Sequence, residues 1–186
     1  MATNQIVDIL EQSPIIAAIS HHKFEEALSS SVKVIFHLKA NLLTIKEQID
    51  KIHNAGKIVF IHLDLAEGIG KDVSGVKFLA NCGADGIIST KGQIIRAAKE
   101  MGLLTVQRFF ALDSQSIGSI EDMLDSIKPD LIEIMPGIAG KVIERFSRGN
   151  IPVIAGGLIE TKDEVFSALS SGASAVSTGK QDLWLL

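Results

Sequence analysis

The chain has 186 residues, a formal net charge of −4, and 46% hydrophobic and 22% charged residues, which is the usage of one ordinary globular domain with a full core. No apolar run reaches the ~18 residues a membrane span needs, and the start, MATNQIVDILEQS, lacks the basic and apolar blocks of a signal peptide. The single cysteine, Cys82, cannot close an internal disulfide and fits a reducing cytosol, while the acidic balance gives no face that would grip nucleic acid by charge alone.

From the N-terminus, a short helix over about Asn4–Gln12 is placed to close the bottom of whatever follows. Then a unit of roughly 20 to 25 residues recurs: an apolar strand, a turn and an amphipathic helix. The strands read as PIIAAI (14–19), VKVIFHL (32–38), KIVFIHLDL (57–65), ADGIIS (84–89), LLTVQRFF (103–110), DLIEIMP (130–136), IPVIAGG (151–157) and ASAVST (173–178). Helical patterns between them include TIKEQIDKIHNAG, with Ile45, Ile49 and Ile52 on one face, then VSGVKFLANCG, GQIIRAAKEMG, SIEDMLDSIK, AGKVIERFSRGN and TKDEVFSALSSG. Several end on glycine or asparagine, as left-handed C-caps do. Cys82, in FLANCGAD, reads as a small buried apolar residue. Parallel strands need crossover helices, and eight such units close most naturally into a single-domain, compact (β/α)8 TIM-like barrel with short loops spanning residues 1–186. The final QDLWLL reads as a short helix packing on the outside or on a second copy of the chain in a homodimer.

In such a barrel the loops after the strands form the mouth, where ligands bind. Those ends are polar: His37, Lys39 and Asn41 after the second strand, Asp64 and Glu67 after the third, Ser89, Thr90 and Lys91 after the fourth, and Asp113 after the fifth. Side chains alternate along a strand. With the aliphatic set turned to the helices, His62, Asp64, Glu133, His37 and Lys39 turn into the barrel. Of Gln107 and Arg108 only one faces inward, and alternation leaves open which. Inward charges need partners, and an Arg108–Glu133 pair across neighbouring strands satisfies both. The five histidines show no H-x-H or H-x-x-x-H spacing, so no metal site is expected.

The seventh strand ends in Gly156 and Gly157 and the eighth in Ser177, Thr178, Gly179 and Lys180. These are the positions where barrels of this class bind phosphate: bare backbone lets N–H groups approach the oxygens, and a hydroxyl and an ammonium complete the cradle. The chemistry around it is not spelled out. An aldolase or decarboxylase needs a lysine beside carboxylates at the third strand end, yet that segment reads D-L-A-E. Lys39 and Asp64 could face each other there as a catalytic pair or as an ordinary ion pair. No catalytic residue is assigned.

The segments HLKANLLTIKEQI, KIVFIHLDLAEGIGKD, ADGIISTKGQIIRAAK, QRFFALDSQS, EIMPGI and IAGGLIET, in this order over about Ile15 to Trp184, resemble the glycerol uptake operon antiterminator regulatory family; RFFALDS, DGIISTK and the IMPG–AGGLI pair are the distinctive pieces. The resemblance implies a cytoplasmic regulator and not an enzyme. It implies glycerol 3-phosphate as effector, no cofactor, and the leader mRNA of glycerol-utilisation genes as partner. Gly156, Gly157, Ser177, Thr178, Gly179 and Lys180 would then hold the phosphate, with Lys39, Asp64, Arg108 or Glu133 reading the hydroxyls. The acidic chain leaves only scattered residues for RNA: Lys91, Arg96, Arg145 and Arg148, with Phe109 and Phe110 as stacking surfaces if exposed and as core if not. The alternative function is a barrel enzyme handling a small phosphopolyol, such as a glycerol-phosphate transferase. A barrel serving only as an assembly partner is a third.

Overall fold

The computed structural model describes residues 2–20 and 22–186. Eight parallel strands, β1 (Ile15–Ile19), β2 (Val34–His37), β3 (Ile58–His62), β4 (Gly86–Ser89), β5 (Leu104–Phe110), β6 (Leu131–Met135), β7 (Val153–Gly156) and β8 (Ala175–Thr178), close into a barrel in sequence order. β8 returns to β1 with Thr178 opposite Ala17. Helix α1 (Thr3–Gln12) precedes the barrel, and α2 (Phe24–Ser29), α3 (Ile45–Asn54), α4 (Val73–Asn81), α5 (Gly92–Glu100), α6 (Ser114–Ile127), α7 (Gly140–Ser147) and α8 (Lys162–Ser170) connect successive strands. The fold is therefore the (β/α)8 barrel that the repeat implies. No helix of the described residues is long and apolar enough to cross a membrane.

Two apolar clusters hold the barrel. Inside it, Ile16, Val34, Phe36, Phe60, Ile88, Val106, Leu131, Ile154 and Ala175 pack together, and Ile6 and Leu10 of α1 join them from below. The opening helix is thus the plug that its apolar positions suggest, and Thr3 fixes it by donating to Asp130 (2.7 Å). Outside, the alternate strand residues, such as Ile35, Val59, Ile61, Ile132 and Ala155, pack against the apolar stripes of the helices, including Ile45, Ile49 and Ile52 of α3. Each fully buried aliphatic side chain of this kind contributes about 1.5–3 kcal/mol. Cys82 is buried at the end of α4, and burial pushes its thiol above its ordinary range.

The strand parity is where the sequence misleads. On β3 and β6 the aliphatic residues do face the helices, so His62 and Glu133 point inward. On β2 the parity is reversed: Val34 and Phe36 fill the barrel. His37 turns outward, its Nε2 on Gln48 of α3 (3.0 Å) and its ring against Phe24 of α2. A parallel sheet is buried on both faces, so an apolar residue does not by itself declare its side. Two boundaries also shift, and one helix is added. β3 stops at His62, and Leu63–Leu65 form a 3-10 turn. HKFEEALS supplies the helix α2 that the reading lacks. α6 starts at Ser114, because Asp113 accepts from Ser116 N–H (2.8 Å) and caps it.

At the other end of the chain, a 3-10 turn over Gln181–Leu185 packs Leu183 and Trp184 into the outer cluster. The Trp184 indole donates to the Thr178 carbonyl (2.9 Å), tying this turn to the end of β8.

Candidate functional site

The floor of the mouth is an ion pair. Arg108 lies opposite Glu133 in the β5–β6 register, and both side chains point inward. Arg108 Nε donates to Glu133 Oε2 at 2.6 Å. The other carboxylate oxygen accepts from the Ser177 hydroxyl at 2.5 Å. Glu133 is 1% exposed and Arg108 7%, so each charge is stable only because the other is present. Arg108 is therefore the inward member of its pair. Gln107 points outward and its side-chain nitrogen reaches Met123 of α6.

This network explains Gly156. A Cβ there would lie 2.7 Å from Ser177 Oγ and run into the Glu133 carboxylate. The residue is glycine because the Glu133–Ser177 hydrogen bond passes over its backbone. Gly157 is different: with φ at +76 it makes the turn out of β7, followed by Leu158 at φ +59. The two glycines of the pair thus do separate jobs, and only the second lines the mouth.

Above the floor lies a cavity of about 350 Å³ bounded by Gly157, Leu158, Glu160, Thr178, Gly179 and Lys180, with Arg108, Glu133 and Ser177 beneath. Thr178 Oγ1 donates to the Ile159 carbonyl (2.8 Å) and accepts from Lys180 N–H (3.1 Å), so this hydroxyl fixes the β7 loop against the β8 loop. A Cβ on Gly179 would meet nothing closer than the Ala18 carbonyl at 3.5 Å. Gly179 is exposed and presents bare backbone to the cavity. Lys180 Nζ stands 3.7 Å from Glu160. One wall was not foreseen: Lys23, beyond β1, lines the same cavity and donates to the Gly179 carbonyl. No motif in HHKFEEAL marks it; only the closure of β8 onto β1 brings it there.

The remaining expected ligand contacts lie elsewhere. Lys39 is exposed and does not line this cavity, a consequence of the reversed parity of β2. Asp64 lies beyond the end of β3, where its carboxylate accepts from the Ser89 hydroxyl (2.7 Å), Thr90 N–H (2.7 Å) and the Thr90 hydroxyl (2.9 Å). Burial alone would raise this carboxyl, but those three donors hold it below its ordinary value. Asp64 is a latch on the loop after β4 rather than a wall of the cavity. His62, 2% exposed, has a buried Nδ1 that finds no hydrogen-bond partner among the described residues. Burial, and then the nearby Arg108 charge, push its imidazole down to about 4, so the ring is neutral at physiological pH. Lys71, farther along the chain, folds back onto the Ala66 carbonyl. Desolvation lowers its ammonium, Asp64 opposes that shift and Lys91 adds to it.

The basic residues considered for RNA are not brought together. Lys91 stands at the N-terminal boundary of α5, at the mouth, and Arg96 is exposed farther along that helix. Arg145 and Arg148 lie at the C-terminal end of α7, the opposite end of the barrel from the mouth. Both are engaged, Arg145 with Glu121 through two hydrogen bonds (2.8 and 3.0 Å) and Arg148 with Glu144 (2.6 Å). Phe109 is buried, whereas Phe110 is 50% exposed beside the exposed Leu112. A larger cavity, about 530 Å³, lies between α6 and α7 against Leu124, Ile132 and Phe146. It belongs to the helix layer and carries none of the strand-end groups. Among the described residues no group of His, Cys, Asp or Glu could hold a metal ion.

The model of the family described as "Glycerol-3-phosphate responsive antiterminator" matches residues 15–184. The chain belongs to that family. It is 36% identical to the glycerol uptake operon antiterminator regulatory protein from Listeria monocytogenes, a solved structure that superposes with a TM-score of 0.87 over 93% of this chain and 95% of that one. A glycerol uptake operon antiterminator-related protein from Thermotoga maritima is 34% identical, with a TM-score of 0.83 over 92% and 98%. The uncharacterized protein YgcP of Escherichia coli (strain K12) is 36% identical over 97% of this chain and 96% of its own length. This antiterminator-family chain thus carries a regulator's kinship on a barrel whose mouth keeps a buried ion pair and a glycine-lined cavity.

Proposed function

We propose that the cavity above β7 and β8 is the effector site of this regulator, that the effector is glycerol 3-phosphate, and that its binding changes the protein's hold on the leader mRNA of glycerol-utilisation genes. The observation that carries the reading is one continuous cavity. It joins a glycine-rich, lysine-flanked upper wall suited to phosphate to a floor whose guanidinium and hydroxyl suit a short polyol. At about 350 Å³ it has the size of a small-metabolite site.

In this account the phosphate sits against Gly157, Gly179 and the Thr178–Lys180 segment, and the hydroxyl end reaches down to Arg108. Glu133 acts indirectly. With one oxygen on Arg108 and the other on Ser177, it orients the guanidinium and Ser177 from below. A floor held this rigidly costs little to organise when ligand arrives, which favours affinity. The neutral His62 ring adds no charge to the mouth.

The RNA part rests on the family. Ligand occupancy joins the β7 and β8 loops, and an RNA-competent arrangement of the mouth gains whatever binding energy distinguishes it from the empty one. The protein is then a sensor without turnover of its ligand. Filter binding of leader RNA with and without glycerol 3-phosphate tests the coupling: the reading expects a shift in RNA affinity of about fivefold or more. Identical affinities would refute it, and consumption of glycerol 3-phosphate by the pure protein would favour a phosphopolyol enzyme.

A further inference from the structure

The sequence assigns the cation of the phosphate cradle to Lys180. The structure offers two ammonium groups on the same cavity and distinguishes them by what already holds them. Lys180 Nζ is 3.7 Å from the Glu160 carboxylate, on a side chain that is about half exposed (51%). Its charge is thus partly neutralised and well hydrated. Lys23 Nζ donates instead to a neutral group, the carbonyl of Gly179. Lys23 also lines the cavity, together with Ala18 and Gly179.

We propose that Lys23 is the principal cationic ligand of the effector's phosphate, and that its hydrogen bond to the Gly179 carbonyl holds it in position for that role. The proposal rests on reading this cavity as the phosphate site. An ammonium has three donors and no acceptor. One donor on the Gly179 carbonyl leaves two for phosphate oxygens, and a carbonyl, unlike a carboxylate, cancels no charge. A dianionic phosphate entering over the exposed backbone of Gly179 therefore meets at the rim an ammonium that, among the described residues, is held by a carbonyl and not by a carboxylate. At Lys180 it must compete with Glu160.

The fold also explains why the lysine comes from a segment 156 residues away in sequence. β1 and β8 are neighbours only because the barrel closes, with Ile16 opposite Ser177 and Ala17 opposite Thr178. The loop leaving β1 and the loop leaving β8 consequently emerge side by side. Lys23 bridges them, and Trp184 ties the same β8 end to the C-terminal turn. A ligand bound by Lys23 thus joins three loops, those after β1, β7 and β8, and has a direct route to the arrangement of the mouth.

The roles within the cavity divide accordingly. Arg108 is committed to Glu133 at the floor and serves the hydroxyl end, whereas Lys23 serves the phosphate. Glycerol alone should not sense Lys23, while inorganic phosphate should.

The test is calorimetric titration of glycerol 3-phosphate into the wild-type protein and into Lys23→Met, Lys23→Arg and Lys180→Met, with inorganic phosphate as a second titrant. The expected result is a loss of about tenfold or more for Lys23→Met toward both titrants. Lys23→Arg should recover part of it, and Lys180→Met should lose less than Lys23→Met. Circular dichroism checks that each variant is folded; should Lys23→Met fail to fold, Lys23→Gln replaces it with the same expectation. If the wild type binds but the neutral Lys23 variant stays within about twofold of it, or if Lys180→Met loses more, the assignment of Lys23 is wrong and the effector site stands. If the wild type gives no binding with glycerol 3-phosphate, the effector reading itself fails, and the proposal with it.

Discussion

Replacing Glu133 by glutamine keeps the shape of the floor and removes its charge. The carboxylate is 1% exposed and accepts two short hydrogen bonds, from Arg108 Nε at 2.6 Å and from Ser177 Oγ at 2.5 Å. Hydrogen bonds to a charged group contribute about 1.5–3 kcal/mol each. Glutamine can still accept from one donor, but the guanidinium is left buried without a counter-charge, and breaking such a pair costs about 3–5 kcal/mol. For a chain of this size that corresponds to a fall in Tm of roughly 10 °C. The assay is urea unfolding of Glu133→Gln, of Arg108→Met and of the double variant. The double variant should recover at least half of the loss seen in Glu133→Gln, because it removes the stranded charge. A cost below about 1 kcal/mol for Glu133→Gln, or no recovery in the double variant, would refute the claim that the floor is a mutually dependent buried pair.

Three further outcomes follow from the same geometry. His62 is held neutral, its folded pKa near 4 against 6.5 for the free side chain. The unfolded chain therefore takes up the proton first, and the stability this contributes is full above pH 6.5 and lost as pH falls toward 4. By linkage, about 2 kcal/mol should go between pH 7 and pH 5, and His62→Gln should flatten that slope when denaturant curves are compared; an unchanged slope would contradict the assignment. Gly156→Ala forces a methyl group within 2.7 Å of Ser177 Oγ, so it should destabilise by about 2 kcal/mol in thermal melts. Asp64→Asn weakens the latch on the loop after β4 and should cost about 1–2 kcal/mol while leaving glycerol 3-phosphate affinity within a few-fold of wild type. Abolished binding would place Asp64 in the effector site after all.

What could be read from the sequence depended on whether a signal was local. The eight strands, the plugging role of α1 and the glycine ends of the helices are local, and they stand: the residues after α3, α4 and α5, Gly56, Gly83 and Gly102, all have positive φ. The Arg108–Glu133 pair was also legible, since two inward charges on adjacent strands have few other partners. Strand parity on β2 was not, because both faces of a barrel strand are apolar and only the interior packing of Val34 and Phe36 decides. Gly156 read as an approach to phosphate, whereas it makes room for the Glu133–Ser177 hydrogen bond. Lys23 carried no local signal, since its place is set by barrel closure across nearly the whole chain. Likewise Asp64 read as an inward carboxylate facing Lys39 or ligand, because its three partners at Ser89 and Thr90 come from the next strand end.

The central claim, that the cavity at the ends of β7 and β8 is the effector site, is tested most directly by calorimetric titration of glycerol 3-phosphate into the wild type and into Gly179→Asp. A Cβ at Gly179 meets no atom closer than the Ala18 carbonyl at 3.5 Å, an ordinary contact at an exposed position, so the variant should fold with a Tm close to that of the wild type. Its carboxylate would stand where the phosphate is placed, and like charges brought together there cost several kcal/mol. The account predicts that the wild type binds and that Gly179→Asp loses more than about a hundredfold in affinity. Binding of glycerol 3-phosphate to a folded Gly179→Asp with wild-type affinity would contradict it.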